Sequence, residues 1–212
     1  MDNLIQELTP YFLVIGVIAI NVVIIAASLF FGYQRRQAMI RAWGEVGMRA
    51  GLILTKGSWL KSPELSGEYR RRPLHMNTFE RGSNRSRQIY TRVALTVENA
   101  TGSTLGISPA SAVGNFFGKV FNTKDVQIGN PEFDSRFTVK SAPETFAGVA
   151  LDDSMTRMGI AEITARFEIE LRGSTLTYTE RGVITDADRL QKLFDTLSSL
   201  ADRVEGKKRS AF

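Results

Sequence analysis

Residues Tyr11 to Phe31 read YFLVIGVIAINVVIIAASLFF, a run without a charged side chain in which only Asn21 and Ser28 are clearly polar. As a helix, rising 1.5 Å per residue, such a run covers roughly 30 Å, the thickness of a bilayer's hydrocarbon core. A soluble helix buried on all sides over that length would be unusual. The chain after Gln34 is polar and mixed. The sequence therefore predicts a membrane anchor over residues 1–32 and one globular domain behind it.

The flanks of the run predict its orientation. The preceding segment, MDNLIQELTP, carries Asp2 and Glu7 and no Lys or Arg. The following segment carries Arg35, Arg36, Arg41 and Arg49 against Glu45. Basic residues stay on the cytoplasmic side, so a single-pass protein of the cell membrane is expected, N-terminus outside and domain in the cytoplasm. The alternative is a cleaved signal peptide ending at Ala26-Ala27-Ser28; the acidic start and the long apolar run speak against it. Asn99-Ala100-Thr101 matches a glycosylation acceptor that would matter only outside the cell, and is read as chance.

Within the run, Asn21 and Ser28 share a helix face, and Gly32 continues it one turn later. Small and amide side chains on one face allow a helix–helix contact in the membrane; the alternative is that the bilayer tolerates them singly.

Composition narrows the chemistry. Hydrophobic residues make up 43% and charged residues 23% of the 212, with a formal charge of +5. About 150 residues outside anchor and tail suffice for one domain with a core. With no cysteine, disulfides, thiol nucleophiles, thiolate zinc and iron–sulfur clusters are excluded. The single histidine, His75, cannot form a His-x-x-x-His pair. No cofactor is implied.

Residues 33–51 read as a helical connector, with Met39, Ala42, Trp43, Val46 and Ala50 in one apolar stripe and Gly44, Gly47 and Gly51 weakening it. The stripe either docks on the domain or pairs with a second copy. The domain over 52–206 shows strand patterns at Glu68–Phe79, Gln88–Glu98 and Thr104–Ser108, and further candidates at Lys124–Ile128 and Arg136–Lys140. Ser141-Ala-Pro-Glu144 has the form of a capping box opening a short helix with Phe146, Val149 and Leu151 inward; a second short helix carries Met155 and Met158. Ala161–Glu180 reads as a hairpin turning at Gly173-Ser174, with Ile163, Ala165, Phe167, Ile169 and Leu171 inward. Asp186–Glu205 is an amphipathic helix with Leu190, Leu193, Phe194, Leu197, Leu200, Ala201 and Val204 in one stripe, followed by Gly206 and a basic tail over 207–212. Strands in runs, with the longest helix last, indicate an α+β domain built on a mainly antiparallel sheet.

The stretch Ile128–Val139, IGNPEFDSRFTV, resembles a region of uncharacterised prokaryotic single-pass membrane-anchored proteins with an (Asn/Asp)-Pro-Glu-Phe-(Asp/Glu) pattern leading into Phe-x-Val. The resemblance implies the same placement and fold and carries no activity. From the residues themselves, Asn130-Pro131 starts a turn, Phe133 and Phe137 anchor it, and Asp134 bonds nearby backbone.

The strongest charge bias is Arg70, Arg71, Arg72, Arg81, Arg85, Arg87 and Arg92 against Glu68 and Glu80. Arg81–Arg87 is a turn-rich tip. These arginines suit anionic lipid headgroups or another acidic surface; the alternative is a solvated loop kept soluble by charge. Nucleic acid is disfavoured, because no readable motif accompanies the charge. Gly114–Lys119 has the wrong spacing for a phosphate loop, and Val120 stands where Ser or Thr is needed. Asp152-Asp153 and Asp186/Asp188 sit at helix starts, where acids are favourable without any catalysis.

The expectation is a non-enzymatic membrane protein whose cytoplasmic domain binds a protein partner or organises a homo-oligomer. The alternatives are a peripheral anionic-lipid module and, last, a membrane-tethered enzyme.

Overall fold

The computed structural model describes residues 2–58, 61–83, 86–112, 125–163 and 166–206, the side chains of residues 2–15 and 112 excepted. Arg85, Lys124, Ala165, the Gly114–Lys119 stretch and the basic tail lie outside the described residues. Two compact units divide the chain, Met1–Arg41 and Ala42–Phe212.

The first unit is helical, as part of α1 (Asp2–Ala50). From Gly16 this helix is long and apolar enough to cross a membrane, and its large apolar side chains from Val17 to Tyr33 are exposed. Asn21 Nδ2 donates to the Val17 carbonyl and Ser28 Oγ to the Ile24 carbonyl, each at 2.8 Å. Each side chain thus makes one hydrogen bond back to its own helix, four residues earlier. Nothing lies within 4 Å of the position a Cβ would take on Gly32.

The second unit is an eight-stranded antiparallel sheet in the order β1-β2-β3-β4-β8-β7-β5-β6. The strands are β1 (Ile53–Thr55), β2 (Glu64–Tyr69), β3 (Arg72–Arg81), β4 (Gln88–Thr96), β5 (Thr104–Pro109), β6 (Phe137–Ala142), β7 (Phe167–Arg172) and β8 (Thr175–Arg181). Strand side chains alternate between faces, so register decides the core. Leu65, Met76, Val93, Tyr178, Ile169, Ile107 and Val139 are successive cross-strand partners, and all are buried. Phe133, Phe137, Phe167 and Tyr178 continue this face as a chain of ring contacts, with centroids 4.6 to 6.0 Å apart.

Helices close this apolar face. They are α2 (Pro131–Arg136), α3 (Glu144–Ala150), α4 (Ser154–Ala161) and α5 (Ala187–Val204). Asp186 caps α5 by accepting from the Asp188 and Arg189 amides, and the whole predicted stripe from Leu190 to Val204 is buried. Each such Leu or Phe gives on the order of 2 kcal/mol by leaving water. α4 approaches α5 closely: a Cβ on Gly159 would stand 2.5 Å from Thr196 Oγ1. Ala42, Trp43 and Val46 are buried in this unit, so the last turns of α1, from Ala42 on, belong to the domain.

Several expectations need correcting. Glu68–Phe79 is two strands: Arg70 and Arg71, at φ 48° and 64°, form a tight turn between β2 and β3. The capping box does not form. Pro143 is the cap residue of α3, with no side-chain bond, and Ser141 Oγ donates to the Pro143 carbonyl at 2.8 Å. Val149 is 57% exposed, and Ala147 and Ala150 take the inward positions with Phe146 and Leu151. The strand expected at Lys124–Ile128 shrinks to a bridge between Asp125 and Lys140, with the Val126 amide bonded to the Val139 carbonyl. Around Asn130 the expectation holds. Its side chain caps α2, and Asp134 accepts from the Ile128 and Asn130 amides.

Candidate binding surface on the open sheet face

The arginines that are dense in sequence are divided by the fold. Arg70 and Arg71 turn the chain at one end of β3, and Arg81 stands at the other. A ten-residue antiparallel strand separates its ends by about 30 Å. The two groups therefore form no common patch.

The first group is engaged with α5. Arg72 is 7% exposed and donates to Glu205 (2.9 and 2.6 Å), to Asp202 (2.5 Å) and to Ser198 (3.1 Å). Its hydrogen bond to Glu205, with Asp202 in support against burial, holds the guanidinium pKa above its ordinary value. Arg70 donates to Asp195 at 2.5 Å, and the Tyr69 hydroxyl donates to the same carboxylate at 2.8 Å. These contacts clamp the hairpin to the helix. Arg71, between Arg70 and Arg72 at the turn, is exposed.

At the opposite end, residues that are distant in sequence come together. The helix-free face carries Phe79, Tyr90 and Arg181 as successive cross-strand partners on β3, β4 and β8. The next row toward the sheet centre is Asn77, Arg92, Thr179 and Glu168. The Phe79 and Tyr90 rings stack at 5.6 Å, and the Arg92 guanidinium sits 4.1 Å from the Phe79 centroid. Arg81, two residues beyond Phe79, shares its face by strand alternation. Its charge reaches Glu168 on β7: burial, reinforced by Glu170, pushes the Glu168 carboxyl up, and Arg81 and Arg172 oppose this. Arg81, Arg92 and Arg181 are exposed, and Phe79 and Tyr90 are half-buried. Asn77 Oδ1 is buried with no partner among the described residues. Arg87, at the same tip, pairs with Glu80 at 3.4 Å. Three guanidinium groups interleaved with two stacked rings can grip an oxyanion while seating apolar or planar matter on the rings.

Sequence reasoning named Arg81 and Arg87 here, and counted Arg92 only as part of the charge bias. It missed Arg181, Phe79 and Tyr90. The alternation of Tyr90 and Arg92 with inward Thr91 and Val93 was a readable signal. Arg181 joins only through the β4–β8 pairing, which links residues about ninety apart.

A second concavity, of 260 Å³, lies between α4 and α5 and includes Gly159, Tyr178, Arg189, Lys192 and Leu193. At its floor Tyr178 donates to Glu180, which also accepts from Arg189 at 2.6 Å. Burial and the neighbouring Glu180 charge push the Tyr178 hydroxyl far up, which fixes it as a donor. This is an internal brace. His75 lies 3.4 Å from Glu64 Oε2, a partner supplied by the unforeseen hairpin, and both are exposed. Among the described residues no three His, Cys, Asp or Glu side chains group to hold a metal.

No family model and no curated protein matches the chain. Among solved structures it is similar to the crystal structure of the mycobacterial trehalose monomycolate transport factor A, TtfA. The TM-score is 0.55 at 11% identity, with 82% of this chain and 98% of that one covered. The likeness extends over the α+β architecture.

Proposed function

We propose that this chain is a single-pass protein of the cell membrane with its N-terminus outside. Its cytoplasmic α+β domain serves, without chemistry of its own, as an accessory component of a membrane transport assembly, binding a protein partner or a second copy. The observation that carries the reading is the likeness in fold to a transport factor over 82% of the chain. The exposed apolar helix from Gly16 supports anchoring, and Arg35, Arg36 and Arg41 behind it support the orientation. The acid pairs have structural work: Asp153 caps α4, Asp186 caps α5, and both Asp152 and Asp153 lie within 3.5 Å of Arg203.

Two measurements test this. A reporter fused behind Phe212 should be active in the cytoplasm and silent outside, and external protease should leave the C-terminus of intact cells uncut. Cleavage there overturns the orientation. Affinity purification of the full chain from native membranes should bring down an integral membrane transporter or the chain itself; recovery of neither removes the assembly role.

A further inference from the structure

The end of the helix-free sheet face is the densest combination of cationic and aromatic side chains among the described residues. We propose that Arg81, Arg92 and Arg181, arranged around the Phe79–Tyr90 stack, form a binding site for the headgroup of an anionic phospholipid at the bilayer surface. The inference rests on the membrane anchoring proposed above. It departs from the sequence reading in its residues: Arg70, Arg71 and Arg72 are no part of the site, and Phe79, Tyr90 and Arg181 are.

Three observations favour a lipid surface. The first is charge and shape. Phe79, Tyr90 and Arg181 are cross-strand partners on three successive strands, whose backbones lie about 5 Å apart, and the Arg92 guanidinium stands 4.1 Å from the Phe79 ring centroid. Arg forks match phosphate oxygens in pairs, and Tyr is a residue of membrane–water interfaces. Glu168, paired with Thr179 in the adjoining row, shares this face and feels the Arg81 charge. Glu80, on the opposite face of β3, is taken up by Arg87.

The second is where the chain joins the domain. The unit begins at Ala42. The Trp43 indole donates to the Ile184 carbonyl at 2.9 Å, and the Ile184 amide donates to Thr91 Oγ1 at 3.3 Å. Ile184 is three residues beyond Arg181, and Thr91 lies between Tyr90 and Arg92. The start of the domain is thus tied to the strand ends that bear the site.

The third is reach. Residues 32–41 separate the apolar run from Ala42, and these ten, even fully extended, span only about 35 Å. Tethering at that range raises the effective concentration of headgroups, so a weak contact becomes populated.

The chain has no cysteine, which makes a single-label experiment direct. Full-length Ser86→Cys, carrying a donor dye at the exposed β3–β4 tip, is placed in nanodiscs with headgroup-labelled acceptor lipid. The discs are phosphatidylcholine alone or phosphatidylcholine with phosphatidylglycerol. Energy transfer should rise when phosphatidylglycerol is present and fall back with salt. It should return to the neutral-lipid level in the Arg92→Gln/Arg181→Gln variant, and Arg92→Lys should retain part of the rise. Ser174→Cys, on the turn at the other end of the sheet, should show no such rise. Soluble glycerol phosphate should fail to abolish the effect at concentrations matching the lipid, because it lacks the surface. Equal transfer in neutral and anionic discs overturns the proposal. So does an unchanged rise in the double variant, with its thermal melt checked against the parent. Failure of the chain to insert removes the anchoring reading together with this one; insertion with equal transfer removes this one alone.

Discussion

The indole nitrogen of Trp43 donates a 2.9 Å hydrogen bond to the carbonyl of Ile184, 141 residues further along the chain. Trp43 is fully buried. The last turns of α1 are therefore core, and their removal opens a large cavity. Trp43→Ala is expected to cost about 3–5 kcal/mol. Trp43→Phe, which keeps most of the ring but orphans the Ile184 carbonyl, should cost about 1–3 kcal/mol. Denaturation of the full chain in detergent reads both. A fragment of residues 42–206 should likewise melt well above one of residues 52–206; equal melting would put the connector outside the core.

Neighbouring arginines should differ sharply. Arg72→Ala breaks the ion pairs to Asp202 and to Glu205, whose side chain is 2% exposed, a change of about 3–5 kcal/mol for a broken buried pair. Arg71→Ala, at the exposed turn, should fall within about 0.5 kcal/mol. Parallel denaturation curves of the two variants decide this, and similar losses would mean that the Arg72 cluster is not holding the hairpin to α5.

Leu193 and Leu197 are 5% and 1% exposed on α5. An Asp at either position buries a charge with no partner, at a cost comparable with a typical domain's total stability of about 5–15 kcal/mol. Either variant should lose cooperative unfolding. A melt like the parent's would show that the stripe does not close the core.

Tyr69 gives a pH signature. Burial, aided by its hydrogen bond to Asp195, pushes its hydroxyl up to about 12. Its ordinary value is near 10. Below about 10 both folded and unfolded states keep the proton, and its contribution is fully present. As pH rises toward 12 the unfolded state ionises first, and stability falls by an amount on the order of 2 kcal/mol. Tyr69→Phe should flatten that part of the alkaline loss, leaving the part due to Tyr178. An identical alkaline profile in the variant would contradict the Tyr69 assignment.

The parts of the fold written as long periodic patterns were readable. The Leu190–Val204 stripe and the alternation from Tyr90 to Thr96 each commit one face, and burial follows that pattern, while Ile89 at the strand's start is exposed. The β2–β3 turn was not readable. Both of its central residues have positive φ, where Gly or Asn is the usual signal, and here both are arginine. The conformation costs roughly 1–3 kcal/mol per residue and persists because Arg70 and Arg72 are bonded to Asp195, Asp202 and Glu205 on α5, partners more than a hundred residues away. A local reading sees three arginines in a row and no turn. The same blindness explains the site. Arg70 and Arg81 are only eleven residues apart in sequence but lie at opposite ends of β3, and Arg181 meets Tyr90 only by strand pairing.

The two margins of the sheet limit how this domain can join anything else. At one margin β1 offers only Ile53–Thr55. At the other, Asp125 and Val126 already occupy Lys140 and Val139 of β6. Among the described residues neither margin presents a long unpaired backbone ladder, which disfavours recruitment by strand addition and runaway stacking of copies into fibres. Recognition by this domain has to be written in side chains.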